Sequence, residues 1–174
     1  MVRAAAAAPP TAPTPCAGWD LAALVRHLLY WAPFLAAAGR RAEPVPVAER
    51  EEDVVLAGWP DTLATAHADV VAAWSDPAAW EGTTSMGGPD RLPAPMIGGM
   101  VLGELVVHGW DLARAAGVRP EWPDGVLAPA RDAVAGMAEQ GRAMGVFGPE
   151  VAVPADAGLL AATLALTGRD PDGA

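Results

Sequence analysis

Three side chains from two distant stretches carry the chemistry of a metal site: His27, Glu104 and His108. Glu104 and His108 stand four residues apart in a helical pattern, so they project from one face, one turn apart. Met100, Val101 and Val107 flank Glu104 at helical spacing, and no arginine lies within a turn of it. A carboxylate in apolar surroundings loses hydration and needs a partner; a divalent ion would supply one, shared with His108. His27 sits at the edge of an apolar stripe with Leu24, Leu28 and Trp31. If its helix packs on the one carrying Glu104, all three side chains can meet. Two imidazoles and one carboxylate leave at least one coordination position open, the mark of a reactive rather than a structural site. Zinc suits these donors best, and nickel or ferrous iron also accept them. Taken singly the features are weak, because a Glu-x3-His pair also occurs on solvated helices and a lone histidine often edges a core. The metal reading draws its weight from residues 95–110, where Glu104 is the only charge.

The elements that must position these residues read as helices. Asp20 precedes Leu21, Leu24, Val25, Leu28 and Leu35, spaced by threes and fours up to Gly39, Arg40 and Arg41. Pro44 and Pro46 exclude helix from residues 42–53. A second helix is expected from Asp61 to about Trp74, then a long loop over 75–95 whose length suggests a lid or binding loop. A third helix is expected over 96–116, a fourth from Pro123 to Met144, and a short last one within 156–167. Val151 and Val153 could form a short extended piece, and no strand alternates convincingly. The pentapeptide Gly-Trp-Asp-Leu-Ala occurs at 18–22 and again at 109–113, read as two helix-edge segments with similar packing. The expected architecture is an all-α bundle in which residues 1–15 are an irregular lead-in and 16–174 a single helical metal-binding domain.

Composition narrows the partners. Hydrophobic residues make up 52% of the 174-residue chain, which excludes a disordered polymer and supports one sizeable core. A formal charge of −10 repels phosphate backbones and anionic bilayers, so neither nucleic acid nor membrane is an expected partner. The single cysteine, Cys16, cannot form an internal disulfide, which fits a reducing cytoplasm. No signal-peptide core follows Arg3.

Several stretches resemble a known family. They are Thr14-Pro15-Cys16-Ala17-Gly18-Trp19-Asp20 with Val25-Arg26-His27-Leu28; Glu104 through Ala113; Phe147-Gly148-Pro149-Glu150 with Pro154; and Leu166-Thr167-Gly168-Arg169-Asp170-Pro171. Together, over residues 14–171, they resemble the actinobacterial metal-binding proteins of the DinB-like superfamily, near mycothiol-dependent maleylpyruvate isomerase. The resemblance implies a four-helix bundle holding one metal through His27, Glu104 and His108. It also implies mycothiol as a co-substrate. Relatives carry a full helix before the Thr-Pro-Cys segment. Here only a short Ala/Pro-rich stretch precedes it, so the first bundle helix is expected to be short or missing, either because the start was set too late or because a partner covers the gap, as in a homodimer. A small C-terminal extension is expected to follow the bundle.

Three functions compete, beside a fourth reading as a purely structural helical domain with no metal. The first is a metal-dependent thiol transferase or isomerase joining a small-molecule thiol to an electrophile. The second is a non-catalytic metal- or ligand-binding bundle. The third is a metal-dependent hydrolase, weakened because no separate general base stands out. Cys16 precedes a helix whose positive end would lower its pKa, although a packing role is the plainer reading. Asp20 reads as a cap, Asp111 as a partner for His108, and Trp19 and Trp110 as core. His67 reads as structural, and Arg26 and Arg114 as solvated ion-pair formers.

Overall fold

Asp20 starts the helix that anchors the molecule. Its carboxylate accepts from the Ala23 N–H at 2.8 Å, and the helix runs Leu21–Arg40. Two N–H groups that a helix start leaves free are met by the lead-in: Leu21 donates to the Ala12 carbonyl and Ala22 to that of Pro10. In the computed structural model, which describes residues 1–173, this is the second helix, α2. The lead-in is not wholly irregular. Val2–Ala5 forms one helical turn, α1, because Ala5 and Ala12 are buried with Leu24 and Val25 and the turn packs on later helices.

The remaining helices are α3 (Trp59–Trp74), α4 (Ala94–Ala115), α5 (Asp124–Ala143) and α6 (Leu159–Leu166). They form an all-α bundle, with α2 between α3 and α4, and α5 between α4 and α6. Helix α3 opens two residues earlier than the sequence suggests, since Pro60 fits a first turn where its missing N–H costs nothing. Pro33 lies inside α2 without ending it. Val151 and Val153 form no strand; Val151 N–H instead meets the Ala165 carbonyl.

Two core regions hold α2 in place: Leu21, Leu24, Leu63 and Leu112 near its start, and Leu35, Val70, Trp74, Ile97 and Val101 near its end. Helix α4 needs glycine where neighbours come close. A Cβ on Gly98 would lie 2.6 Å from the Trp80 ring and 2.7 Å from that of Trp74.

Residues 75–95 are tied down rather than lid-like. A 3-10 turn, Pro77–Trp80, leads into a two-residue antiparallel pair of β1 (Thr83–Thr84) and β2 (Leu92–Pro93). The buried Thr84 hydroxyl donates to the Ala38 carbonyl at 2.6 Å. That anchor lies eleven residues along α2 from His27, about 16 Å at the helical rise. Helix α2 is long and apolar enough to cross a membrane, with mean hydropathy 1.4, but more than half of that window is buried in the bundle. It is the core helix of the fold.

Candidate metal centre

Helices α2 and α4 bring the three donors together. His27 Nε2 lies 3.6 Å from Glu104 Oε2, and His108 Nε2 lies 3.5 Å from the same oxygen. The donor atoms of all three side chains lie within 4.8 Å of one another. Those separations exceed an ordinary charge-assisted hydrogen bond. They match the roughly 3.4 Å between two donors around a tetrahedral ion with bonds near 2.1 Å.

Each imidazole is held from behind. Asp111 Oδ2 accepts at 2.8 Å from His108 Nδ1, and Glu51 Oε2 lies 3.3 Å from His27 Nδ1. With an ion held at Nε2, both contacts would keep the ring proton on Nδ1 and leave Nε2 as the lone-pair donor to the metal. Trp19 closes one side, stacked on His108 at 5.9 Å between centroids and tilted against His27 at 4.7 Å. Glu104 keeps a third of its side-chain surface, so the centre is open to solvent.

The electrostatics follow. Burial opposes charge on Glu104, but the charge of His108 and the contact with His27 outweigh it and hold the carboxyl below its usual range. Burial likewise opposes charge on His27, yet Glu104 and Glu51 leave its pKa raised. Asp111 is fully buried, and the desolvation this costs is outweighed by His108 and Arg169, so its pKa is lowered.

Arg169 is a part of the site that the sequence did not single out. It donates from Nε to Asp111 Oδ1 at 2.8 Å and from Nη2 to Oδ2 at 2.7 Å. It reaches Asp111 because the backbones of Gly148 and Gly168 cross: a Cβ on Gly168, at φ +83°, would lie 2.6 Å from the Gly148 Cα. The only sequence signal was its place in the Thr-Gly-Arg-Asp-Pro motif. Glu51 was missed as well, lost in an acidic run read as loop; it sits in a 3-10 turn, Glu51–Asp53.

The other residues singled out resolve as follows. The repeated pentapeptide has two roles, since Asp20 caps α2 from outside while Asp111 lies inside α4. The two copies therefore do not share an environment. Cys16 lies against His108 and Asp111, and burial pushes its thiol up to about 11 despite nearby Arg169, the reverse of the lowering a helix start would give. Trp110 is buried, with the Arg114 guanidinium 5.8 Å over its ring. Arg26 has no ion-pair partner among the described residues, and its Nε is buried without a hydrogen bond. His67 is half-buried on α3 with its pKa lowered by burial, and belongs to no donor cluster among the described residues.

Residues 1–113, about two thirds of the chain, match the family model described as the mycothiol maleylpyruvate isomerase N-terminal domain. The chain belongs to that family. The matched segment contains α1–α3 and all but the last two residues of α4, and with them His27, Glu51, Glu104, His108 and Asp111, while Arg169 lies beyond it. No curated protein matches the chain, and no solved structure does.

Proposed function

We propose that this chain is a divalent-metal protein in which His27, Glu104 and His108 hold the ion, and that it acts with mycothiol as a thiol transferase or isomerase. The observation that carries the reading is the convergence of two Nε2 atoms on one Glu104 oxygen at 3.5 and 3.6 Å, with both Nδ1 atoms already engaged by carboxylates. Zinc is the ion best suited to this donor set.

A bound divalent ion lowers the pKa of a thiol placed against it, so that thiolate forms near neutral pH. The chain's own residues provide the rest. Asp111 and Glu51 fix the direction of the imidazoles, and Trp19 shields their faces from water. In the metal-free chain burial pushes the Cys16 thiol up to about 11, so Cys16 by itself is a poor source of thiolate. On this reading the reactive thiol comes from outside the chain, and membership of a mycothiol-related family supports mycothiol. Hydrolysis is less well supported, because Glu104 faces both imidazoles, and Glu51 and Asp111 are each engaged with an imidazole nitrogen.

Elemental analysis of the purified protein beside a His108→Ala variant tests the ligand set. About one ion per chain in the parent and a large loss in the variant is expected; equal content in both overturns it. Metal-loaded protein is then given mycothiol and a panel of electrophiles. Adduct or isomer formed only with thiol supports the reaction class, and turnover independent of thiol removes it.

A further inference from the structure

We infer that Glu51 is a positioning residue that ties the segment between α2 and α3 to the metal state of His27. The inference rests on the metal reading above and adds a residue and a mobile consequence to it. Glu51 Oε2 lies 3.3 Å from His27 Nδ1, the nitrogen that faces away from Glu104. Asp111 stands in the same relation to His108, so each imidazole has its own carboxylate.

The two carboxylates differ in what holds them. Asp111 is buried inside α4 and gripped by Arg169. Glu51 is half-buried in a short turn after an exposed stretch with Pro44 and Pro46. That turn is pinned from below by Val54, which is 6% exposed and packs with Leu24, Val25 and Leu28. Val54 and the His27 contact together place the turn beside the metal donors. Coordination at Nε2 makes the Nδ1 proton a stronger donor, so an ion at Nε2 tightens the Glu51 contact. By reciprocity, holding Glu51 in place favours the ion. The neighbouring carboxylates Glu52 and Asp53 pair with Arg50 in solvent and serve as internal controls.

The test uses cobalt(II) as probe. Affinity is measured by competition with a chromophoric chelator for the parent, Glu51→Leu, Glu51→Gln and Glu52→Gln. Trypsin cleavage after Arg50 is timed with and without cobalt. The expected result is a loss of roughly 10- to 100-fold in affinity for Glu51→Leu, partial recovery in Glu51→Gln, and no change in Glu52→Gln. Cobalt should slow cleavage after Arg50 in the parent and not in Glu51→Leu. If Glu51→Leu does not fold, the isosteric Glu51→Gln is the deciding variant, and its affinity must fall below that of Glu52→Gln. Parent-like affinity in folded Glu51 variants, or cobalt-independent cleavage in the parent, overturns the role of Glu51 while leaving the three-ligand site standing. A parent that binds no cobalt overturns both.

Discussion

Arg169 grips Asp111 through two parallel hydrogen bonds, at 2.8 and 2.7 Å, with both side chains buried. Asp111 passes that restraint to His108 through its Oδ2. A residue near the end of the chain, outside the segment that matches the family, thus sets a candidate ligand inside that segment. Removing one member of a buried ion pair leaves an uncompensated charge, so Arg169→Met should cost about 3–5 kcal/mol of stability. It should also weaken metal binding by about tenfold or more, because His108 is then less firmly oriented. Urea unfolding and a chelator titration read the two effects. Adding Asp111→Asn should restore part of the stability and none of the affinity. An Arg169→Met protein with an unchanged urea midpoint would refute the coupling.

The metal-free and metal-loaded forms should respond to pH in opposite directions near neutrality. In the metal-free protein the folded state holds a proton on His27 more tightly than the unfolded chain, because Glu104 and Glu51 outweigh its burial. That stabilisation is complete below the ordinary value of 6.5 and is lost as pH rises through the raised folded value. Glu104 and Asp111, whose pKa values are lowered, contribute stability present above their ordinary 4.5 and 3.8 and lost as pH falls through the lower folded values. With metal present, protons compete for His27, so the ion should begin to leave as pH falls through the raised folded value, before the ordinary 6.5 is reached. Urea midpoints at pH about 6 and about 8, with and without zinc, check this. His67, whose pKa burial lowers, works in the opposite sense below 6.5, so the comparison is made in a His67→Gln background, where a metal-free protein no more stable at the lower pH would refute it.

The sequence made the donors legible because their signal is local and chemical. Glu104 and His108 declare themselves by four-residue spacing in an apolar run, and Asp20 by its place before a periodic stretch. The helices followed from the same periodicity, with α3 and α4 each opening two residues early because Pro60 and Pro95 join their first turns. Glu51 and Arg169 were not legible as partners, since each acts through a contact spanning 24 and 58 residues of chain. Nothing in an acidic run marks which carboxylate will fold back. The repeat at 109–113 misled for a related reason: identical pentapeptides take their roles from the surrounding chain, one before a helix and one within it.

Cys16 should be slow to react despite its half-exposed setting. Burial raises its thiol from 9.0 to about 11, which leaves about a hundredfold less thiolate at neutral pH. Alkylation by iodoacetamide should therefore lag an unfolded control by about two orders of magnitude and recover in urea. Arg169→Met should slow it further, because Arg169 is the nearby charge that favours the thiolate. Parent protein that reacts as fast as the unfolded control would show that the thiol is not held in this pocket.

Two glycine substitutions should move stability in opposite directions and so test the packing that carries Glu104. A methyl on Gly98 would meet the Trp80 and Trp74 rings at 2.6 and 2.7 Å, closer than real contacts allow. Those rings are braced, since Trp74 donates to the Leu35 carbonyl at 2.9 Å and Trp80 to that of Trp74 at 2.8 Å. They cannot move without losing those bonds, so Gly98→Ala should cost about 1–3 kcal/mol. Gly136 lies exposed within α5, with nothing near its missing methyl. Gly136→Ala should stabilise the protein by about 0.5–1 kcal/mol through helix propensity alone. Gly98 is also six residues before Glu104 on α4, so a displaced helix would shift that carboxylate against His27. Gly98→Ala should accordingly weaken cobalt binding, whereas Gly136→Ala should leave it unchanged. Equal stability in the two variants would rule out the close approach of the Trp74–Trp80 pair to α4.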